Sequence, residues 1–533
     1  MLGTMMDFEL TVGSILRHAN RFHGDREIAS RLPSGEIGRY TYRDLYRRCG
    51  QLSNALAALG VKAGDRVGTL AANSFRHLEA YFAAPAMGAV VHTINPRLYT
   101  EQIAYIINHA EDAVLLVDPE NLPIIQQLRG SLPHVKHVVV LDESSPDGDA
   151  LAYDSLLAQY SDEFDWPVVR ESSAAALCYT SGTTGDPKGV LYTHRSAVLH
   201  AMMVSGADWF AVRKRDTVLP VVPMYHVMAW SLPFAATMNG AKLVLPRTAL
   251  DSASLLDLIR REQVTLAAGV PTIWSDMLAH LETEGGTLAP LQCVIVGGTA
   301  PTPALIRRLE EGHGVRTLHG WGMTETSSNG LLNTPDEHWT AMPREEQREF
   351  LRKQGRPPYP VNVKILTADG NEAPWDGKTL GHLCVSGPTI ARGYYKRDSD
   401  AHPEPSAWLD TGDIATIDSA GYVEIADRDK DIIKSGGEWI SSIALENIAA
   451  SHPDVVEAAV IAVPHPRWDE RPLLIVVPRR GAQINREALL AHFVGKVTKW
   501  SIPDEVLVVE SLPRQATGKL SKAELRKRYG AAR

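Results

Sequence analysis

Short apolar runs alternate with helical segments over residues 40–250, and this alternation is the feature that most constrains the fold. Helical spacing is present at 45–59 and 77–87, and strand-like runs are present at 66–71, 89–94, 113–117 and 137–141. Such alternation is typical of an α/β domain with a largely parallel sheet. Residues 242–245 and 293–296 continue the pattern, and the second run ends at Gly297-Gly298, where a ligand can approach the end of a strand.

The last third of the chain has a different pattern. Strand-like segments at 381–387 and 421–425 indicate a small antiparallel or barrel-like section. After residue 431, strands are predicted at 455–463 and 472–477 and a helix at 486–497. These segments predict a compact α+β C-terminal domain of ordinary size. The predicted fold class is therefore α/β, with a large N-terminal domain of parallel sheets plus a small barrel, followed by that smaller domain.

Length and composition narrow the classes of function. A chain of 533 residues exceeds the size at which a single core stops growing, so two or more domains are expected. The formal net charge of -9 lacks the basic footprint of a nucleic-acid-binding protein. The four cysteines are scattered without a Cys-x-x-Cys pair, which suggests neither a disulfide framework nor a zinc site. With no signal-peptide pattern and no apolar run of about 20 residues, we expect a cytoplasmic protein without a membrane span.

One loop points directly to chemistry. Residues 179–190 read Tyr-Thr-Ser-Gly-Thr-Thr-Gly-Asp-Pro-Lys-Gly-Val and follow an apolar run. Glycines let backbone amides approach an anion closely, and hydroxyls add further donors, so the loop is suited to a polyphosphate. It is not a Walker A loop, because no Gly-Lys-Ser/Thr ends it. The alternative is a flexible surface turn, since loops of Gly and Ser are common.

A second motif lies at residues 319–326, His-Gly-Trp-Gly-Met-Thr-Glu-Thr. Near a polyphosphate, the carboxylate of Glu325 is a suitable Mg²⁺ ligand, and the hydroxyl of Thr324 can bind phosphate. Trp321 offers a flat face for adenine or for an acyl group.

Three further segments are ambiguous when they are taken singly. Asp413, at the end of 408–413, either caps backbone amides or accepts the ribose hydroxyls of a nucleotide, with Arg428 as an added cationic donor. Segment 428–440 is either a linker with a tight turn or part of a site. Lys519, in segment 513–520, is by itself an ordinary solvated lysine.

Together the five segments resemble the adenylate-forming superfamily, which includes acyl-CoA synthetases, adenylation domains of peptide synthetases and luciferases. The resemblance extends from residue 10 to residue 525, with the motifs in family order and at family spacing. It implies an N-terminal adenylation domain at 1–429 and a mobile C-terminal domain at 430–533. The hinge then falls at Lys430, where many members have Asp.

The resemblance also assigns roles to residues, all of which are expectations here. The implied cofactors and co-substrates are ATP, Mg²⁺ and CoA. The phosphate loop comprises Thr180, Ser181, Gly182, Thr183, Thr184 and Lys188. Gly298, Thr299, His319, Gly320, Trp321 and Thr324 contact AMP, Asp413 and Arg428 hold the ribose, and Thr180 and Glu325 lie near the metal. Lys519 is the C-terminal lysine of the adenylation step, and Lys434, Gly436, Gly437 and Trp439 line the CoA tunnel.

The acid is expected to bind near residues 223–230, Pro-Met-Tyr-His-Val-Met-Ala-Trp. Read from its residues alone, this stretch is an apolar helix start with a buried histidine. By resemblance it borders the acyl pocket, where His226 gates or orients the acid, while Trp230 and Trp321 line the pocket and Trp230 limits chain length. The segment looks most like medium-chain fatty acyl-CoA ligases and 3-methylmercaptopropionyl-CoA ligases. Tyr225 and Met228 depart from the more usual residues there.

The expected activity is therefore ligation of a short- to medium-chain carboxylic acid to CoA through an acyl-AMP intermediate. Two alternatives remain at this point. One is a stand-alone adenylation enzyme that loads a carrier protein, against which Trp439 and the absence of an attached carrier domain weigh. The other is a catalytically silent nucleotide-binding homologue, against which Lys519, Glu325 and Asp413 weigh. Relatives of this kind are commonly homodimers.

Overall fold

The computed structural model describes residues 3–142, 148–180, 186–328, 330–397, 408–436, 438–479, 481–514 and 520–530. The chain forms two compact units. The first comprises Met1–Asn362 and Ser386–Leu409, and the second comprises Val363–Val385 and Asp410–Arg533. The second unit thus includes residues that precede Lys430, and the domain boundary at 429/430 with its hinge stays a prediction.

The first unit is built from fifteen described strands and thirteen described α-helices. The strands are β1 (Glu27–Arg31), β2 (Ile37–Thr41), β3 (Arg66–Leu70), β4 (Val90–Thr93), β5 (Asp112–Val117), β6 (His137–Val140), β7 (Leu151–Ala152), β8 (Ala174–Tyr179), β9 (Gly189–Thr193), β10 (Thr217–Pro220), β11 (Lys242–Leu245), β12 (Leu266–Gly269), β13 (Cys293–Val296), β14 (Arg316–Trp321) and β15 (Leu331–Asn333). The helices are α1 (Val12–His23), α2 (Tyr42–Ala58), α3 (Phe75–Ala86), α4 (Thr100–Ala110), α5 (Leu122–Leu128), α6 (Tyr153–Leu157), α7 (His194–Ser205), α8 (Leu232–Asn239), α9 (Ser252–Glu262), α10 (Pro271–Glu284), α11 (Pro303–His313), α12 (Glu337–Ala341) and α13 (Arg344–Phe350).

Two large sheets organise this unit. One has the order β7-β6-β5-β3-β4-β8-β9 and is parallel except for the antiparallel pair β8–β9 at its edge. The other has the order β15-β14-β13-β12-β10-β11-β1-β2, with antiparallel pairs only at its two ends. Strands buried on both faces explain the continuous apolar runs of the sequence. The predicted α/β class is confirmed.

The remaining elements lie almost wholly in the second unit. They are β16 (Asn362–Leu366), β17 (Gly381–Ser386), β18 (Leu409–Ile417), β19 (Val423–Arg428), β20 (Ile433–Ser435), β21 (Glu438–Ile440), α14 (Ser442–Ala450), β22 (Val455–His465), β23 (Asp469–Pro478), α15 (Arg486–Ala491), β24 (Glu505–Val508) and α16 (Lys522–Tyr529). Strands β16 to β19 form a four-stranded sheet in chain order, and β21-β20-β23-β22 form a second sheet in which β24 pairs with β23. Among the described residues, no helix is both long and apolar enough to cross a bilayer.

The predicted helix at 486–497 is too long. Helix α15 ends at Ala491, and Gly495 takes a φ of 81°, which lies outside the right-handed helical region. The glycine therefore favours a turn at the point where the apolar spacing alone predicts that the helix continues.

A buried charge network stabilises the helices that pack on the first sheet. Glu79 of α3 is fully buried, and its carboxylate accepts hydrogen bonds from Arg48 Nε at 2.6 Å and from the Tyr153 hydroxyl at 2.6 Å. Asp154 pairs with both Arg48 and Arg76 at 2.7 Å. Burial raises the pKa of Glu79, while the Arg48 guanidinium opposes that rise. Removing one partner of a buried ion pair of this kind is strongly destabilising, because the remaining charge stays buried without compensation.

We predict that Glu79→Ala lowers the free energy of unfolding by about 3–5 kcal/mol, because it removes the buried partner of both the Arg48 guanidinium and the Tyr153 hydroxyl and leaves Arg48 paired with Asp154 alone. Urea unfolding followed by fluorescence and circular dichroism measures the effect. Arg47→Ala, which removes an exposed ion pair to Asp162 from α2, the helix that carries Arg48, is the matched control and leaves the midpoint unchanged. Equal midpoints for the two variants would contradict the assignment.

Candidate nucleotide and acyl site

The two ends of the glycine-rich loop are held together by strand pairing. Tyr179, the last residue of β8, is paired with Gly189, the first residue of β9. Thr180 N–H donates to Lys188 O at 2.9 Å, and Lys188 N–H donates to Thr180 Oγ1 at 3.1 Å. The base of the loop is therefore closed at the sheet edge. Its central residues Ser181, Gly182, Thr183 and Thr184 lie outside the described residues.

The motif that carries Glu325 forms a tight turn after strand β14. Residues Thr324–Thr326 make one turn of 3₁₀ helix, in which Thr324 is 6% and Glu325 is 5% exposed. The hydroxyl of Tyr192, on β9, donates to Thr324 O at 2.6 Å. The strand that closes the phosphate loop is thus bonded directly to the turn that presents Glu325.

A third segment, 389–396, contacts both of these elements, and sequence reasoning missed it. Ser327 Oγ donates a hydrogen bond to Thr389 O at 2.8 Å, and Ala391 N–H donates to Glu325 O at 2.7 Å. Tyr395 N–H donates to Gly189 O at 2.7 Å. The tyrosine pair after Gly393 is visible in the sequence, but only the tertiary contacts show what it joins.

The adenine candidates lie at the ends of two adjacent parallel strands. Strands β13 and β14 pair in the register Val296 to His319, so Gly298 and Thr299 follow one strand end while Gly320 and Trp321 complete its neighbour. Gly298 takes a φ of 84°, and it and Thr299 are exposed. Nucleotides commonly bind outside the carboxyl ends of such strands.

His319 itself points away from water. It is 2% exposed, and burial lowers its pKa to about 4 although contacts with the Leu351–Lys353 backbone oppose the shift. Its Nδ1 has no hydrogen-bond partner among the described residues. The imidazole is therefore neutral at physiological pH.

The stretch 223–230 does not begin a helix as its residues alone suggest. His226 is half-buried, and Val227–Ser231 form a 3₁₀ turn in which all five residues have φ between 37° and 60°. Left-handed conformations are costly for such residues and persist where the surroundings impose them, commonly at functional sites. Helix α8 begins only afterwards, at Leu232.

The indole of Trp230 packs against the residue that follows strand β13. A Cβ atom on Gly297 would lie 2.9 Å from Trp230 Cη2, so the indole requires a glycine at that position. Residues of the same turn line a small cavity that opens to solvent. Its lining residues are Tyr192, Ser196, Ala197, His200, Val227, Met228, Ser231, Phe234 and Ser327. Burial lowers the pKa of His200 to about 3, and Ser231 Oγ has no hydrogen-bond partner among the described residues.

In the second unit, Asp413 and Arg428 form one pair across strands β18 and β19. They are register partners, and Arg428 Nε lies 2.8 Å from Asp413 Oδ1. The Asp413 side chain is 2% exposed and that of Arg428 is 46% exposed. Asp413 therefore sits in a strand and pairs with a cation, rather than only capping a turn.

The other candidates of the second unit surround the start of strand β20. Lys430 lies in the turn before it, Lys434 Nζ is 3.3 Å from Asp429 Oδ1, and Lys434 pairs in register with Trp439. Gly436 takes a φ of 61°, and a Cβ there would lie 2.9 Å from Trp500. Gly437 lies outside the described residues.

Lys519 also lies outside the described residues, but both flanks of its segment are described. Arg514 and Leu520 form an antiparallel bridge, and Ser521 N–H donates to Pro513 O at 2.8 Å. Helix α16 then pairs Lys522 with Glu446 at 2.8 Å. The two flanks of segment 515–519 are thus held together by these backbone contacts.

The residues present fit a magnesium ion that binds together with ATP. No group of three or more His, Cys, Asp or Glu side chains able to hold a metal occurs among the described residues. Mg²⁺ does not need one, because it binds one or two carboxylates plus substrate phosphates. The nearly buried carboxylate of Glu325 and the hydroxyl of Thr180 are oxygen donors of the required kind.

The fold and these clusters define a two-unit α/β enzyme of the nucleotide-binding type. The AMP-binding enzyme family model matches residues 16–395, and that of the AMP-binding enzyme C-terminal domain matches residues 444–519. The chain belongs to the AMP-binding enzyme family. The resemblance to adenylate-forming enzymes is thereby confirmed.

Relatives match along the whole chain. The medium-chain-fatty-acid–CoA ligase of Ectopseudomonas oleovorans is 47% identical over 99% of this chain and 98% of its own length. The 3-methylmercaptopropionyl-CoA ligase of Ruegeria lacuscaerulensis is 46% identical over 99% of both chains. The long-chain-fatty-acid–CoA ligase of Thermus thermophilus is 48% identical over 99% of this chain and 97% of its own. The crystal structure of the anthranilate CoA ligase AuaEII in complex with anthranoyl-AMP superposes with a TM-score of 0.85 at 26% identity, covering 99% of both chains. The predicted enzyme class, an acid–thiol ligase, is confirmed.

We predict that the imidazole of His319 stays neutral down to pH 5 and titrates near pH 4, because its charged form is desolvated. A histidine with a lower pKa in the folded state binds fewer protons there, so its contribution to stability is lost as pH falls from about 6.5 through about 4. NMR of the ring signals, assigned with His319→Gln, measures the titration. A midpoint between pH 6 and 7 would refute the prediction.

Proposed function

We propose that the protein is an ATP-dependent acyl-CoA ligase that activates a carboxylic acid as acyl-AMP, releases pyrophosphate and transfers the acyl group to CoA. The observation that carries the proposal is the direct bonding of the phosphate-loop base to the Glu325 turn through Tyr192. Full-length similarity to three CoA ligases supports the same conclusion. Cytoplasmic location and a homodimer stay predictions.

The roles of the residues follow from their chemistry. In adenylation, a carboxylate attacks the α-phosphate of ATP, which brings anions together. The phosphate-loop amides, Lys188 and Lys519 offset that repulsion, and Thr324 binds the α-phosphate. Thr180 and Glu325 hold Mg²⁺, which when bound stabilises charge on the phosphates. Asp413 accepts from the ribose hydroxyls, and the adenine lies against residues 298–299 and 319–321.

The second half-reaction needs different residues. The thiol of CoA attacks the acyl carbonyl and displaces AMP, so the pantetheine arm must reach the adenylate. Lys434, Gly436, Gly437 and Trp439 line its path, and the C-terminal domain moves about Lys430 between the two steps. A carrier protein in place of CoA remains the alternative acceptor.

We predict that Lys519→Ala abolishes acyl-AMP formation but largely spares thioester formation from supplied acyl-AMP, because the lysine stabilises charge only in the first step. Pyrophosphate release and acyl-CoA mass measure the two half-reactions separately. Lys527→Ala, a basic residue of helix α16, is the control and leaves both rates unchanged. Equal loss of both half-reactions in Lys519→Ala would contradict the assigned role.

The acid is proposed to be a short- to medium-chain fatty acid or a similar acid, with 3-methylmercaptopropionate as the specific alternative. His226 and Trp230 border its pocket.

An acid panel tests the proposed function directly. Pyrophosphate release is measured with acids from acetate to dodecanoate, with aromatic acids and with 3-methylmercaptopropionate, each with and without CoA. Acid-dependent pyrophosphate release excludes a silent nucleotide binder. A CoA-dependent product of the expected mass separates a CoA ligase from an enzyme that loads a carrier protein.

We predict that Trp230→Ala shifts the chain-length preference toward longer acids and raises kcat/KM for them about tenfold relative to the best short acid. The indole packs on Gly297, and in the proposed pocket it would limit the space for the acyl chain; each further methylene that gains an apolar contact contributes about 0.8 kcal/mol. Trp375→Ala, at a half-exposed tryptophan of the second unit, is the control. An unchanged chain-length profile would show that Trp230 does not bound the pocket.

A further inference from the structure

Two candidate residues of the nucleotide site share one neutral partner. The hydroxyl of Tyr394 donates to Glu325 Oε1 at 2.6 Å, and Lys188 Nζ lies 4.5 Å from the centroid of the same ring. The proposed Mg²⁺ ligand and the lysine of the phosphate loop therefore meet at opposite parts of a single side chain. We propose that Tyr394 is a positioning residue that orients Glu325 for Mg²⁺ and Lys188 for the phosphates of ATP; this inference rests on the proposed function.

Tyrosine suits both contacts because its hydroxyl and ring differ in polarity. A hydrogen bond from a hydroxyl to a carboxylate is charge-assisted and fixes the direction of the carboxylate. The face of an aromatic ring attracts an ammonium group within about 6 Å. Neither contact brings a formal charge that would form an ion pair with Glu325 or Lys188 and compete with the ligand.

The position of Tyr394 is itself fixed by its neighbours. Three residues before it, Ala391 is bonded to the Glu325 backbone, and the next residue, Tyr395, is bonded to Gly189 beside the phosphate loop. Further along, Lys396 Nζ donates to His109 O at 2.9 Å and pairs with Glu111 at 2.7 Å. Because the backbone is restrained on both sides of Tyr394, we expect that loss of its phenolic oxygen changes the orientation of the Glu325 carboxylate and leaves segment 389–396 in place.

The test compares Tyr394→Phe with Tyr395→Phe. Tyr395 lies on the same segment, but its ring contacts His109 instead of Glu325. Mg²⁺ binding to the complex with a non-hydrolysable ATP analogue is measured by isothermal titration calorimetry, and the Mg²⁺ dependence of pyrophosphate release is measured in parallel. Tyr394→Phe is expected to raise the half-saturating Mg²⁺ concentration about tenfold, since hydrogen bonds to charged groups are among the stronger ones. At saturating Mg²⁺ its kcat stays within about threefold of the wild type.

A second variant separates the two contacts. Tyr394→Leu removes the ring as well, so it is expected to weaken binding of the ATP analogue in the absence of Mg²⁺, whereas Tyr394→Phe leaves that binding unchanged. If Tyr394→Leu fails to fold, the comparison of the two Phe variants still decides the role at Glu325.

Two results would overturn the proposal. One is an unchanged Mg²⁺ affinity in Tyr394→Phe, and the other is an equal loss in Tyr395→Phe, which would indicate a general effect on the segment. The calorimetric measurement does not require turnover. An enzyme inactive with every acid would therefore refute the proposed function while the Mg²⁺ titration still decides the role of Tyr394.

Discussion

The antiparallel pairing of β8 with β9 is the constraint on which the candidate site depends. In a sheet whose other neighbours run parallel, this pair turns the chain back at the edge and closes the loop base between Thr180 and Lys188. Holding the ends of a loop together removes much of the entropy that a ligand would otherwise have to overcome. Strand β9 then carries Tyr192 to the Glu325 turn, so a single strand sets the spacing of the two motifs.

Both units present a carboxylate in the same way. Glu325 and Asp413 are nearly buried, and each is held by a polar partner: the Tyr394 hydroxyl for one and the Arg428 guanidinium for the other. A carboxylate withdrawn from water without such a partner is strongly destabilising. A prearranged partner keeps the carboxylate oriented before the ligand arrives, which lowers the reorganisation needed on binding.

The sequence alone was sufficient to predict those elements of the fold that depend on local residue patterns. Strands β11 and β13 have the predicted bounds, since continuous apolar runs flanked by polar residues leave little choice of register. Motifs also singled out Glu325 and Asp413, but they predicted neither the 3₁₀ turn nor the strand on which these residues lie. Tyr394 was missed because its contact with Glu325 joins residues 69 positions apart, and no local pattern reports such a pairing.

The choice of acid is hard to read from the sequence for a related physical reason. The left-handed turn Val227–Ser231, which includes Trp230 and borders the cavity, is made of residues that disfavour this conformation. Its shape is therefore imposed by the packing of the indole on Gly297 and of Phe234 and Tyr192 around the cavity, and not by its own propensities. In the proposed function this turn borders the acid, so its packing and not the nucleotide motifs would set the choice of acid. Full-length relatives of similar identity carry the names medium-chain-fatty-acid–CoA ligase, 3-methylmercaptopropionyl-CoA ligase and long-chain-fatty-acid–CoA ligase.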